Sequence, residues 1–364
     1  MPMGNGSRIQ RRRSRGFVLV TAGIMLLVLV GALGLVFDLG RLYIFKSEAQ
    51  TWADSAAIRA ALCLDGTRNG LTLAATSALS TPGKWGFSST AFTTGTAVFS
   101  TSPNGPWANA ATAPLLSIYA RVNVTVPARL MFLPALVSTQ VADVAARSTA
   151  AQVAKNTFTE GLFPFSPYAH NSTGPNFGLD SGTLYTLRWP ANPKLGNGSN
   201  ICSGDRIEAV KSLADAAGGS ERGYIEDTSA SLIATTIIDD YQSITRTVGD
   251  LVNMTGGAKQ SQLNSLQTRI SQDSDTTSMT YAEYVAGNRG NGRRIVAVPI
   301  NDGGTPAGMN NRIVGIGSFF LYPTGEYGTG GGQAWCAEYI GSWVQGTNHH
   351  GVLGGGAYVV RLTE

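Results

Sequence analysis

Apolar residues run unbroken from Gly16 to Phe37, with Thr21 the only polar side chain in the stretch. As a helix, a run of this length reaches roughly 33 Å, the hydrocarbon thickness of a bilayer, and helix is the form that satisfies its own backbone in lipid. The pattern then changes character without a break. Leu42, Phe45, Ala49, Trp52, Ala56 and Ala60 recur at three- and four-residue spacing, Lys46, Glu48 and Asp54 fall elsewhere, and no proline interrupts residues 16–62. One helix is therefore expected to leave the membrane and continue as an amphipathic stalk. Its small-residue face, Ala49, Ala53, Ala56, Ala57 and Ala60, admits either a close partner helix or packing on the protein's own sheet.

Period-two patterning follows. Tyr119–Pro127 alternates Val122, Val124 and Val126 with Arg121, Asn123 and Thr125, as a half-buried strand does. A short apolar segment, Leu130–Val137, is broken by Pro134, and Gln140–Thr149 alternates again through Ala142, Val144 and Ala146. Phe87–Phe99 reads as a strand or hairpin. Past residue 155, Phe163–Tyr168 reads as a proline-stiffened linker. Strands are expected at Leu184–Trp189, Arg294–Ile300, Ile313–Tyr322 and Ala357–Leu362. Helices are expected at Ser229–Ile244 (striped by Ile233, Ile237, Tyr241 and Ile244), Gln260–Gln272 and Met279–Ala286. The expected fold class is α+β. A basic tail over 1–15 precedes a transmembrane helix over 16–37, then a stalk helix packed on a small antiparallel sheet over 38–154, then a mixed α/β domain over 155–364.

Charge refines this picture. Five arginines (Arg8, Arg11, Arg12, Arg13 and Arg15) lie in the first fifteen residues, and without them the formal charge of +4 becomes −1. The basic balance is thus a property of the tail and gives no support to a nucleic-acid partner. Its place before the span predicts an N-terminus in the cytoplasm and the remainder outside it. Val30-Gly31-Ala32 offers a signal-peptide cleavage alternative, but the apolar run continues beyond it, which favours a retained anchor. From Asn69 to Ala120 the only charged residue is Lys84, a composition suited to extracytoplasmic proteins.

The arginine-rich start, the uninterrupted span, Asp38-x-Gly40-Arg41-x-Tyr43 just beyond it, and a helix carrying Gln50, Ala53, Asp54, Ala56 and Ala57 resemble the N-terminal region of TadE/TadG-like proteins. That family serves the Tad (Flp-type) pilus assembly machinery of bacteria, and the resemblance covers about residues 10–62. It implies a pilin-like arrangement of helix on sheet and a minor-pilin-type component of the inner membrane, exposed at the cell surface or in the pilus. The implied partners are the lipid bilayer, other pilus or assembly proteins, and a second copy met through the N-terminal helix. Prepilin-like relatives carry a glutamate five residues after a glycine cleavage site; counting from Gly16, this chain has Thr21, so cleavage there is not expected.

Candidate chemistry is sparse. Asp227-Thr-Ser229-Ala-Ser231 has the Asp-x-Ser-x-Ser spacing that binds a divalent cation in the von Willebrand A-type domains of some relatives. The same letters also serve as a helix cap, and no hydrophobic strand run precedes them. A cation-dependent adhesion module using these three residues is the first alternative function, and a surface-anchored hydrolase the second. His170, His349 and His350 are too scattered for a metal-ligand spacing, and no nucleophile elbow, phosphate loop or zinc-protease motif occurs. No catalytic set and no cofactor are expected. Cys202 and Cys336 can bridge outside the cytoplasm, leaving Cys63 buried or paired with another chain. Phe319, Phe320, Tyr322, Tyr327, Trp335, Tyr339 and Trp343 are interface anchors or core residues.

Overall fold

A computed structural model describes residues 13–81, 83–85, 90–92, 95–135, 138–190, 193–206, 221–225, 229–256, 261–303, 311–328 and 330–363. Helix α1, Arg13–Leu62, runs through span and stalk without interruption, as the absence of proline predicts. A second helix, α2 (Arg68–Leu79), follows a short turn. Its signal was present but unread. Thr67 accepts the Gly70 N–H as N-cap, and Leu71, Ala74 and Ala78 make a buried helical stripe within the hydroxyl-rich region.

Three antiparallel strands support α1: β1 (Gly95–Ser100), β2 (Tyr119–Arg129) and β3 (Val141–Ala154). β2 lies between the other two, with Val122 opposite Ser148 and Val126 opposite Val144. Pro127 is tolerated because β1 pairs only as far as Val124, so β2 is an edge beyond that point. Val122, Val124, Val126 and Ala128 point under α1, where Phe45, Ala49, Ala53, Ala56, Ala57 and Ala60 are buried. The alanine face is therefore filled by the protein's own sheet and by α2. A partner helix cannot use it, which corrects the self-association reading for the stalk.

The distal residues build an antiparallel sheet from β4 (Thr183–Arg188), β5 (Ile295–Asn301), β6 (Asn311–Leu321) and β7 (Trp335–Gly341). Its order is β5-β6-β7-β4, with Leu251–Val252 beside the start of β6. Helices α3 (Ala230–Asp239), α4 (Gln262–Ser271) and α5 (Tyr281–Gly287) belong to this part. The last strand, β8 (Ala357–Leu362), returns to the first sheet and pairs antiparallel with Ala150–Ala154 of β3. The first sheet thus takes strands from both sides of residue 155, and a cut at 154/155 does not separate the two sheets.

Three expectations change. α3 ends at Asp239, because Asp240 takes a left-handed conformation (φ 60°) and its carboxylate holds Arg269 and Arg293 at 2.6 and 2.7 Å; Tyr241 and Ile244 lie beyond the helix, exposed. Phe163–Tyr168 is no linker. Phe163, Phe165 and Tyr168 are buried, the Phe163 N–H donates to the Ala297 carbonyl, and Phe165 and Tyr168 bridge to Tyr224 and Asn301. Of the seven aromatics, Phe319, Phe320, Tyr327, Trp335 and Tyr339 are buried core, so they cannot anchor an interface.

Candidate functional site

Fifteen large apolar residues of Phe17–Phe37 are exposed in the isolated chain, among them Leu26, Leu29 and Phe37. At roughly 1.5–3 kcal/mol for each such side chain, leaving them in water costs on the order of 20 kcal/mol or more. A surface of this size is favoured to leave water for an apolar surrounding, and the helix is long and apolar enough to cross a membrane. Thr21, the one polar side chain, bonds back to the Phe17 and Val18 carbonyls at 3.0 and 3.1 Å, so its donor is satisfied within the helix.

At the sheet end of the span stands Asp38, 1% exposed. Its carboxylate accepts the backbone N–H groups of Met131 (2.9 Å), Phe132 (3.0 Å) and Leu133 (2.7 Å) in the turn between β2 and β3. Burial raises the Asp38 pKa, but those three donors and the Arg41 charge outweigh it and hold the group below the ordinary carboxylate value. The other motif positions do different work. Arg41 lies over the Phe45 ring at 5.3 Å, Tyr43 projects outward, and Gly40 borders open space. Gly34 instead has a steric reason. A Cβ there would stand 2.7 Å from Cβ of Phe132, whose ring lies 5.7 Å from that of Phe37.

Two more attachments fasten α1. Lys46 and Gln50 donate to the Ala145 and Arg147 carbonyls of β3. At the far end, buried Gln152 donates to the Ala61 and Leu64 carbonyls at 3.1 and 2.8 Å, satisfying acceptors that the helix terminus leaves open. Sequence reasoning missed Gln152; a long polar side chain on a strand face of otherwise small or apolar residues was the available signal. The sheet is therefore bound rigidly to the helix that carries the apolar span.

The cation candidate is described only in part. Asp227 lies outside the described residues; Ser229 caps α3 by accepting from Leu232, and its hydroxyl also meets that of Ser231 at 2.9 Å. Among the described residues no group of three or more His, Cys, Asp or Glu side chains is placed to hold a metal ion. His349 and His350 donate to the neighbouring carbonyls of His350 and Gly351, as a polar loop does, and His170 packs edge-on against Tyr185. A cleft of about 670 Å³ lies among Leu62, Leu73, Trp343 and His349, with Arg269 and Arg293 on its wall. Asp240 pairs with both guanidinium groups, one carboxylate oxygen to each.

Cys202 and Cys336 form a disulfide, joining the 193–206 segment to β7 across β4, while Cys63 is a half-buried free thiol 3.5 Å from the Ser77 hydroxyl. Beside the bridge, half-buried Asp205 accepts from Thr186 and from the Cys202 N–H; desolvation still pushes its pKa up to about 6. A deeper polar cluster surrounds Arg294, which donates to the carbonyls of Asp275, Ser278 and Leu321. Asp273 accepts from the Tyr284 hydroxyl at 2.9 Å, and Asp275 from both Thr277 and Ser278. These groups are satisfied internally, the condition for burying them.

No curated protein and no solved structure matches the chain. A family model does match, over the part of α1 that carries both the bare span and the sheet attachments. Residues 16–62 match Tad, described as "Putative Flp pilus-assembly TadE/G-like".

Proposed function

We propose that this protein is a non-catalytic structural component of a Tad-type pilus assembly system, of minor-pilin type, anchored in the bacterial inner membrane. Its arginine-rich N-terminus faces the cytoplasm, and its two sheets lie outside, where they contact pilus or envelope proteins. The observation that carries this reading is the single helix α1, bare and apolar in its first half and packed on a sheet in its second, with the Tad match spanning both. The arginines ahead of the span supply the orientation. The disulfide fits an oxidising compartment beyond the membrane.

The test is surface piliation in the native bacterium, counted by electron microscopy. Deleting the gene is expected to remove or strongly reduce surface pili. The full chain should restore them, while residues 38–364 exported without the anchor should not. Unchanged piliation in the deletion strain would remove the proposal.

A further inference from the structure

We infer that the turn between β2 and β3 is a second membrane contact, with Met131 and Phe132 inserted into the leaflet on the sheet side beside α1. The inference rests on the reading that Phe17–Phe37 spans a bilayer.

Position comes first. Phe132 covers Gly34 and meets Phe37, both inside the apolar run. At 1.5 Å per residue, Gly34 lies about 6 Å on the lipid side of Asp38. A side chain held at that level stands within the depth the span itself occupies. Composition agrees. Leu130, Met131, Phe132, Leu133 and Pro134 contain no polar side-chain atom, yet Met131 is 64% and Phe132 45% exposed. Exposed Arg129, the last residue of β2 before the turn, is the kind of basic side chain that reaches lipid headgroups.

The backbone decides whether such a turn can enter lipid. Irregular backbone normally cannot, because its N–H groups lose water without gaining partners. Here the N–H groups of Met131, Phe132 and Leu133 are all taken by Asp38. The carboxylate in turn receives the donors that a charge at the edge of hydrocarbon requires. Each side makes the other tolerable away from water, and the pairing fixes the turn against the span. The exposed apolar patch is continuous with the apolar face read as spanning the bilayer, so lipid is its occupant.

Nitroxide accessibility on the full chain in vesicles of phosphatidylethanolamine and phosphatidylglycerol tests this. With Cys63→Ser as background, single labels are placed at Met131→Cys, at Val28→Cys in mid-span and at Asn104→Cys on the exposed sheet side. The ratio of oxygen collisions to those of a water-soluble nickel chelate is expected to be several-fold higher at 131 than at 104, and to approach that at 28. A ratio at 131 equal to that at 104, with 28 reading as lipid, would place the turn in water and overturn the inference. Shielding of 131 from both reagents would assign the patch to a protein partner or second copy and overturn it equally. A water-like ratio at 28 would instead fail the spanning reading, and this inference with it.

Discussion

Replacing both Cys202 and Cys336 by serine is expected to lower the unfolding free energy by roughly 2–5 kcal/mol, with the higher value favoured by the 134-residue separation the bridge closes. Removing the bridge enlarges the conformational freedom of the unfolded chain over that whole loop. It also removes the covalent tie on the 193–206 segment, leaving it held to β4 by hydrogen bonds such as those of Thr186 and Asp205. Denaturant unfolding of the detergent-solubilised protein, oxidised and variant side by side, should show a clearly lower midpoint for the variant. Matching midpoints would mean that the bridge contributes nothing to this fold. The effect should concentrate in the distal sheet, since β2 and β3 are not joined by it.

Asp38→Ala is expected to uncouple the β2–β3 turn from α1. Three charge-assisted hydrogen bonds end on this carboxylate. Each such bond contributes about 1.5–3 kcal/mol, and the sum is reduced because the carboxylate's own desolvation disappears with it. A net local loss of about 3 kcal/mol corresponds to more than a hundredfold faster exchange of the Met131, Phe132 and Leu133 amides. Amides in the middle of β2, such as Val124, should keep their protection and serve as the internal control. Equal protection at residues 131–133 in both proteins would show that the turn is held by something other than Asp38. Asp38→Asn, which keeps one acceptor oxygen, should fall between the two.

Long periodic elements were legible because their burial is one-sided. The stripe Leu42, Phe45, Ala49, Trp52, Ala56 and Ala60 faces the sheet along α1, and Val122, Val124 and Val126 face back from β2. Patterning could not say what would fill the alanine face, since a sheet and a second helix ask for the same small residues. It overlooked β7 because Trp335–Gly341 is covered on both faces and alternates with nothing. It overran α3 because the stripe continues through Tyr241 and Ile244, while the break comes from the backbone of Asp240. Asp38 was visible as part of a motif, but its role was not. A carboxylate that accepts from three amides ninety residues away leaves no local periodicity to read. The cysteine pair was legible only as an allowed bridge, and it took the placement of β4 and β7 to bring the two together.

Membrane fractionation with protease protection tests the anchored architecture most directly. Native membranes are washed with alkaline carbonate, and intact spheroplasts are treated with protease from outside. The full chain should stay in the membrane pellet, and protease should degrade the sheets while sparing a short fragment that contains Phe17–Phe37. Recovery of the whole, uncut chain in the soluble cytoplasmic fraction, or complete protection of the sheets in intact spheroplasts, would contradict it.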